Sequence, residues 1–335
     1  VITISRTYAE IKSQFSALKE TLVYVQNRMN IINRFLGEKS YDTVAFVGSG
    51  SSYLISKSLE NIYRNLSGRA AMSIAAGDLW LHAQRYKKPL ENAVVIAISR
   101  SGGTGELIEA IKAIKDITEA RFIALTCVEN SPVKGIADMA LEMPWAFDES
   151  VCQTMSASNL YAAGAVIAAG ISGCDGAIAE FSSTLGSLGD YVLSAEPLFL
   201  RLARERFENV VILADAEAAG LAEVGARAFK ELSQTVSYCC GLLDCRHGPI
   251  AMINKATLVV ASLESGGEQE TELIADIAKR KPIIITCTAE PMQLDKVYLN
   301  ISFGKLDIIS RGLALLAVCQ FAAYYKALVK GLNPA

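Results

Sequence analysis

The sequence predicts an α/β protein of two similar three-layer domains, each a parallel sheet covered by helices on both faces. Three observations carry that expectation. The chain has 335 residues, which is enough for two domains with cores of their own. Its short Val/Ile-rich runs are continuously apolar and alternate with helical segments, the pattern of strands buried on both faces. The pattern also occurs twice in the same order. DTVAFVGSG from Asp42 matches ENVVILADA from Glu208. NAVVIAISRSGGTGELIEAI from Asn92 matches ATLVVASLESGGEQETELIADI from Ala256, and RFIALTC from Arg121 matches KPIIITC from Lys281. The three offsets are 166, 164 and 160 residues, so the two domains read as copies of one unit.

In chain order, Ala17–Phe35 carries Leu18, Leu22, Val25, Met29, Ile32 and Phe35 on one helical stripe. Residues 1–40 are therefore expected to form a helical lead-in. The first domain is expected over 41–190, including a small-residue connecting helix from Asn159 to Tyr191, and the second over 191–335. Cys127 and Cys287 close apolar strands and read as buried hydrophobes rather than reactive thiols.

Composition narrows the functional classes. With 51% hydrophobic and 20% charged residues the chain is not disordered. Thirty-two basic against 35 acidic residues give a net charge of -3, without the basic surplus that a nucleic-acid partner requires. Eight cysteines without a C-x-x-C pair, beside only two histidines, supply a metal site poorly, so neither metal nor cofactor is expected. The opening VITISRTYAEIKSQ lacks a signal-peptide pattern, and Leu160–Cys174 is too short and interrupted to span a bilayer. The expectation is a cytoplasmic protein with no membrane partner.

Ligands of open parallel sheets bind beyond the carboxyl ends of the strands, on the amino termini of the following helices. Two loops of the first copy occupy such places: Gly48-Ser49-Gly50-Ser51-Ser52 and Ser99-Arg100-Ser101-Gly102-Gly103-Thr104. Hydroxyls, glycine amides and a helix start make a phosphate cradle. One such loop alone reads equally as a capped turn; two at matching strand ends favour phosphate. The second-copy equivalents, Ala214-Asp215-Ala216 and Leu263-Glu264-Ser265-Gly266-Gly267, are acidic and poorer in hydroxyls, so anion binding is expected to be lost there. That copy offers Glu231 and, beside Arg246 and a Gly-Pro turn, His247. Carboxylate and imidazole suit acid–base work on a sugar. On position alone, Glu231 also reads as a solvated helix carboxylate and His247 as a turn cap. His82 reads as a helix residue packed at an edge.

These residues resemble the double sugar-isomerase (SIS) domain family, which includes the isomerase half of glucosamine-6-phosphate synthase. They are also similar to amino-sugar-phosphate deaminases and fructosamine-6-phosphate deglycases. The resemblance rests on EIKSQFSALKETL from Glu10, GSGSSY from Gly48, SRSGGT from Ser99, ESVCQT from Glu149, and Lys230-Glu231 followed by Arg246-His247-Gly248-Pro249. The sixteen-residue step from Glu231 to His247 is the family's own. It implies two SIS domains with five-stranded parallel sheets. It implies that Ser51, Ser52, Ser99, Ser101 and Thr104 hold a substrate phosphate, and that Gly50, Arg100, Gly102, Gln153 and Asp244 line the sugar. Glu231 would shuttle a proton between C1 and C2. His247 would open the ring while projecting into a neighbouring subunit's site, which implies a homodimer with shared sites.

Three departures stand out. Ala228 replaces a lysine common three residues before the glutamate, Asp244 replaces a glutamate, and the sequence stops at Gly331-Leu332-Asn333-Pro334-Ala335, short of a family lysine. The first two argue for a specialised substrate. No ammonia-generating segment with an amino-terminal cysteine precedes Thr7. The expectation is therefore an isomerase, deaminase or deglycase acting on an amino-sugar or fructosamine 6-phosphate. The competing expectation is a non-catalytic phosphosugar-binding regulator.

Overall fold

The structure, a computed structural model, describes residues 5–264 and 266–334. Helix α1 (Arg6–Gln26) is followed by α2 (Met29–Gly37). The single helix expected over Ala17–Phe35 is thus two, although its apolar stripe is continuous. They part at Asn27 and Arg28, where the Arg28 amide turns back to Val25 O at 2.9 Å and tightens the last turn.

The first sheet unit then runs β1 (Thr43–Gly48), α3 (Ser51–Ser67), β2 (Ala71–Ala75), α4 (Ala76–Leu81), α5 (Ala83–Leu90), β3 (Ala93–Ser99), α6 (Gly105–Lys115), β4 (Arg121–Thr126) and β5 (Met139–Glu142). Its five strands lie in the order β2-β1-β3-β4-β5, and every pairing is parallel. Successive side chains point to opposite faces. Ala45, Val47, Val95, Ala97, Phe122 and Ala124 therefore share one face, where Leu107, Ala110 and Ile111 of α6 and Leu79 of α4 bury them. Helix α3 and α7 (Met155–Ile171) pack together within this unit. The connecting helix expected over Asn159–Tyr191 is broken near Ser172–Cys174 into α7 and α8 (Asp175–Ser194).

The second unit holds α9 (Glu196–Arg204), β6 (Asn209–Leu213), α10 (Ala219–Ser233), β7 (Val236–Cys240), β8 (Thr257–Ser262), α11 (Glu268–Ala278), β9 (Ile283–Thr288), β10 (Leu299–Ser302) and α12 (Ser310–Val329). Its order, β10-β9-β8-β6-β7, repeats that of the first sheet, again all parallel. Where the first unit has α4 and α5, this one has only two 3-10 turns, Leu243–Arg246 and Pro249–Met252. Helix α12 is long and apolar enough to cross a membrane by length and composition, but 89% of its most apolar window is buried inside the protein. It packs mainly on α10 and α9, as a core helix.

Of the described residues, one unit comprises Ser16–Asp148 and Met155–Ser182, and the other comprises 5–15, Glu149–Thr154 and those from Ser183 onward. The expected five-stranded parallel sheets, two of them, each between helical layers, are present.

Candidate functional site

The first unit places both hydroxyl-rich loops at one edge. Strands β1 and β3 are neighbours, and the chain leaves them in opposite directions, β1 toward β2 and β3 toward β4. That is the switch point at which open α/β sheets bind ligands. After β1, Gly50 caps α3, and Ser51 and Ser52 begin its first turn, both buried. Gly48 permits this: a Cβ there would lie 2.6 Å from Ser52 C, so the strand end sits directly on the helix start. Beside it, the Ser49 hydroxyl is buried with no hydrogen-bond partner.

After β3 the loop is clamped onto the end of β4. Arg100 O accepts from Cys127 N at 3.0 Å, and Gly102 O accepts from Val133 N at 2.8 Å. Gly102 has φ of +60°, and a Cβ would fall 2.2 Å from Ser131 Oγ, so only glycine fits. The Ser99 hydroxyl, 2% exposed, accepts from Gly102 N at 3.0 Å and pairs with Thr104 Oγ1 at 2.9 Å. It is a strut inside the loop. Ser101 is exposed, and its hydroxyl accepts from Gly103 N at 3.2 Å. Thr104 precedes α6 in extended conformation without a side-chain cap bond. The Arg100 guanidinium lies 5.8 Å from the Phe147 ring centroid. The loop after β4 adds Ser131, whose buried hydroxyl has no partner. Sequence reasoning missed it because a lone Ser-Pro lacks a glycine-rich signal.

The segment Glu149–Thr154 belongs to the second unit. Glu10 Oε1 accepts from Glu149 N at 2.8 Å and Ser150 N at 3.1 Å, which fixes its backbone. Gln153 Oε1, in the same segment, is buried without a partner.

Glu231 and His247 share the second unit but lie on opposite faces of its sheet. Helix α10 packs through Gly225 onto Ile212, so closely that a Cβ on Gly225 would lie 3.4 Å from Ile212 Cδ1. Cys245, two residues before His247, is buried with Val211 and Leu213, the alternate residues of the same strand. Within one chain the two residues thus lie in two neighbourhoods with the sheet between them. Glu231 is exposed two residues before the end of α10. His247 is exposed, with its amide on Asp244 O at 2.9 Å. Asp244 is also exposed, while Arg246 turns to Asp276 of α11 at 2.9 Å. His82 stands between α4 and α5, its Nε2 3.7 Å from Asp78 Oδ1. Burial raises the Cys127 thiol and pushes Cys287 up to about 12, which leaves both as core residues.

The second unit's strand-end loops are filled by its own carboxylates. Asp215 Oδ1 accepts from Leu242 N at 3.0 Å. Glu270 accepts from Glu264 N at 2.8 Å and Gly266 N at 2.7 Å. Glu217, 2% exposed, pairs with Arg311, which also reaches Glu264 at 3.1 Å. Ser265, in the same loop, lies outside the described residues, as does Ala335.

Two doubly layered parallel sheets with a hydroxyl-lined edge on the first define an open α/β fold with a candidate ligand edge. Residues 39–171 match the SIS domain. The chain is 23% identical over 337 residues to a glutamine–fructose-6-phosphate aminotransferase (isomerizing) of Sulfolobus acidocaldarius, an alignment covering 97% of this chain and 54% of that one. A counterpart in Caldanaerobacter subterraneus is 27% identical over 268 residues, covering 74% and 43%. The chain thus spans about half the length of these curated relatives. Its fold matches tagatose-6-phosphate ketose/aldose isomerase from Escherichia coli with a TM-score of 0.87 at 20% identity, covering 98% and 94%. It matches glucosamine-6-phosphate deaminase from Thermotoga maritima with 0.78 at 24%, covering 98% and 96%.

Proposed function

We propose that the chain processes an amino-sugar or fructosamine 6-phosphate by proton transfer between C1 and C2, as an isomerase, deaminase or deglycase. The observation that carries this reading is the pair of open, hydroxyl-lined loops at the switch point of the first sheet. The aminotransferases, isomerase and deaminase it resembles are all named for hexose 6-phosphates, which supports the same substrate class.

In this scheme Ser52, Ser101 and Thr104 hold the phosphate on C6, with Ser51 and the helix starts of α3 and α6 contributing amides. Ser99 keeps the loop in shape. Gly50, Gly102 and Arg100 line the cradle, Gln153 takes a sugar hydroxyl, and Asp244, on the turn that carries His247, reaches one from the same copy as His247. Fixing the phosphate holds the reacting carbons in register. Glu231 accepts the carbon-bound proton from C2 and returns it to C1. His247 moves the ring-oxygen proton. The substrate's own carbonyl or iminium takes up the charge that develops. Because a sheet separates Glu231 from His247 in one chain, a site using both takes His247 from a second copy. Leu243 and Met252, 44% and 63% exposed on the turns flanking His247, are the apolar surface such a homodimer would cover.

The test is a panel of glucosamine, fructosamine and tagatose 6-phosphates, assayed for amine release and for solvent deuterium exchange at C2. We expect turnover of at least one, and a loss of about 10²–10⁴-fold in Glu231→Gln with binding retained. Mixing Glu231→Gln with His247→Asn protein should restore activity, since one site of the mixed dimer keeps both residues. Tight binding of phosphorylated sugars with no exchange on any of them would replace this reading with that of a phosphosugar-binding regulator.

A further inference from the structure

A cleft at the amino-terminal edge of the second sheet belongs to neither half of the proposed site. Its volume is about 360 Å³, the small-metabolite end of the range for ligand sites. Its walls come from the segment joining α9 to β6, from Ala256 ahead of β8, and from the last turn of α12. Four cations line it, Arg204, Arg206, Lys326 and Lys330, against two carboxylates, Glu205 and Glu208.

The two lysines are built into the frame. Lys326, 7% exposed, donates to Ala203 O at 3.2 Å and Glu205 O at 2.9 Å and lies 3.8 Å over the Phe207 ring. Lys330 donates to Ser233 O at 2.7 Å and Gln234 O at 3.3 Å. Their hydrogen bonds go to neutral carbonyl and hydroxyl oxygens, so neither ammonium is hydrogen-bonded to a carboxylate among the described residues. Burial, and then the charge of Lys330, hold the Lys326 ammonium below the usual lysine range, against the opposing pull of Glu205. An anion in the cleft would relieve that repulsion. Glu205 does not serve as that anion, because its carboxylate is turned to the Tyr298 hydroxyl at 3.5 Å. Arg204 and Arg206 are exposed, and neither guanidinium has a hydrogen-bond or ion-pair partner among the described residues. Four positive groups over two negative ones leave a surplus that a phosphate dianion matches, and forked guanidinium donors suit phosphoryl oxygens.

We propose that this cleft binds a small phosphorylated anion, held between the Arg204 and Arg206 guanidinium groups over the buried Lys326 ammonium group and the exposed Lys330 one. Lys330 places the site next to α10. Its side chain both lines the cleft and caps the carboxyl end of the helix that carries Glu231. Occupancy is therefore felt at that helix end.

Inorganic pyrophosphate is the probe, titrated calorimetrically into the full chain. A Ser101→Ala/Thr104→Ala background weakens the cradle of the first unit, so uptake that depends on the arginines reports the cleft. We expect one pyrophosphate per chain on that background, weakening with added salt. Adding Arg204→Gln/Arg206→Gln should lower the affinity at least about ten-fold, as loss of charged hydrogen bonds requires. Both arginines are exposed and unpartnered, so circular dichroism and the melting midpoint should not move. Pyrophosphate should also slow amide exchange at Gln234 and Thr235 when the arginines are present. No uptake on the loop-variant background, or uptake unchanged by the arginine pair, overturns the proposal while leaving the reading of the strand-end loops untouched.

Discussion

The two sheets have one strand order, yet their strand-end loops are finished in opposite ways. In the first, the loop after β3 satisfies its amides with neutral serine hydroxyls, Gly102 N on Ser99 and Gly103 N on Ser101 at 3.0 and 3.2 Å. In the second, the loop after β8 directs Glu264 N and Gly266 N onto one carboxylate at 2.8 and 2.7 Å. The backbone is otherwise alike: Gly102 and Gly266 have φ of +60° and +63°. The difference lies in where each helix starts and what its first turn reaches. A glutamate stands four residues past each of these glycines, Glu106 in α6 and Glu270 in α11, but α11 starts one residue sooner after its glycine, and among the described residues only Glu270 reaches back to the loop amides. One loop carries a built-in anion, and the other leaves its helix start available to an external one. In the second unit, Arg311 further joins the two strand-end loops by pairing with both Glu217 and Glu264.

The arginine clamp is the place to test how far the second unit depends on its internal charges. Arg311→Met leaves Glu217 buried without its cation, and we expect a loss of about 3–5 kcal/mol at pH 8. The sign of the pH dependence follows from Glu217. Burial, outweighing the pull of Arg311, holds its carboxyl above the ordinary 4.5. A group whose folded pKa is raised contributes its stability at low pH and loses it as pH climbs from the unfolded value through the folded one. Removing Arg311 removes the lowering influence, so the loss at high pH deepens while protonation at pH 5 repairs much of it. Urea unfolding at pH 5 and pH 8 checks this, and equal deficits at the two values would show that the clamp acts through packing instead.

The first unit should respond in binding rather than in stability. Ser101→Ala with Thr104→Ala removes two hydroxyls from the open loop, each worth about 1.5–3 kcal/mol when paired with a charged group. We expect the apparent KM for a phosphorylated sugar to rise about 100-fold and that for its unphosphorylated analogue to stay put, with little change in the unfolding midpoint. If both sugars lose affinity alike, the hydroxyls support the loop and do not read phosphate. Ser99→Ala, by contrast, removes a strut and should lower stability.

Most of this contrast is legible in sequence, and what is not has identifiable causes. Continuous apolar strands and the doubled pattern are enough to predict both sheets, because burial on two faces leaves no other composition. Glycine and serine after β1 and β3 mark the open loops, and acidic residues at 214–217 and 263–270 mark the filled ones. Ser131 escapes notice because it reaches the loop through the β4 register, not through a local motif. The separation of Glu231 from His247 is hidden for a different reason. A sixteen-residue step carries no information about faces, and here α10 covers Ile212 while the crossover after β7 covers Val211 and Leu213. Only the face on which each segment packs reveals that a strand lies between them. The break between α1 and α2 likewise leaves the apolar stripe intact, so periodicity passes over it.

The smallest expected effect tests whether the two loops differ by a single side chain. Glu270→Ala removes a carboxylate that caps α11 from within, at a cost of about 1 kcal/mol by comparison with other helix-start substitutions. It also leaves Glu264 N and Gly266 N unpaired at a helix start, as a vacant anion site. Phosphate in the medium should then stabilise the Ala variant and leave the parent second unit indifferent, which a melting series with phosphate and with chloride at matched ionic strength can resolve. To keep the first unit's loop from contributing, both proteins carry Ser101→Ala and Thr104→Ala. Rescue by phosphate would mean that a glutamate alone closes a cradle which the backbone still builds in both units. Loss of stability without rescue would mean that hydroxyls such as those of Ser101 and Thr104, and not the amides, make the open loop bind.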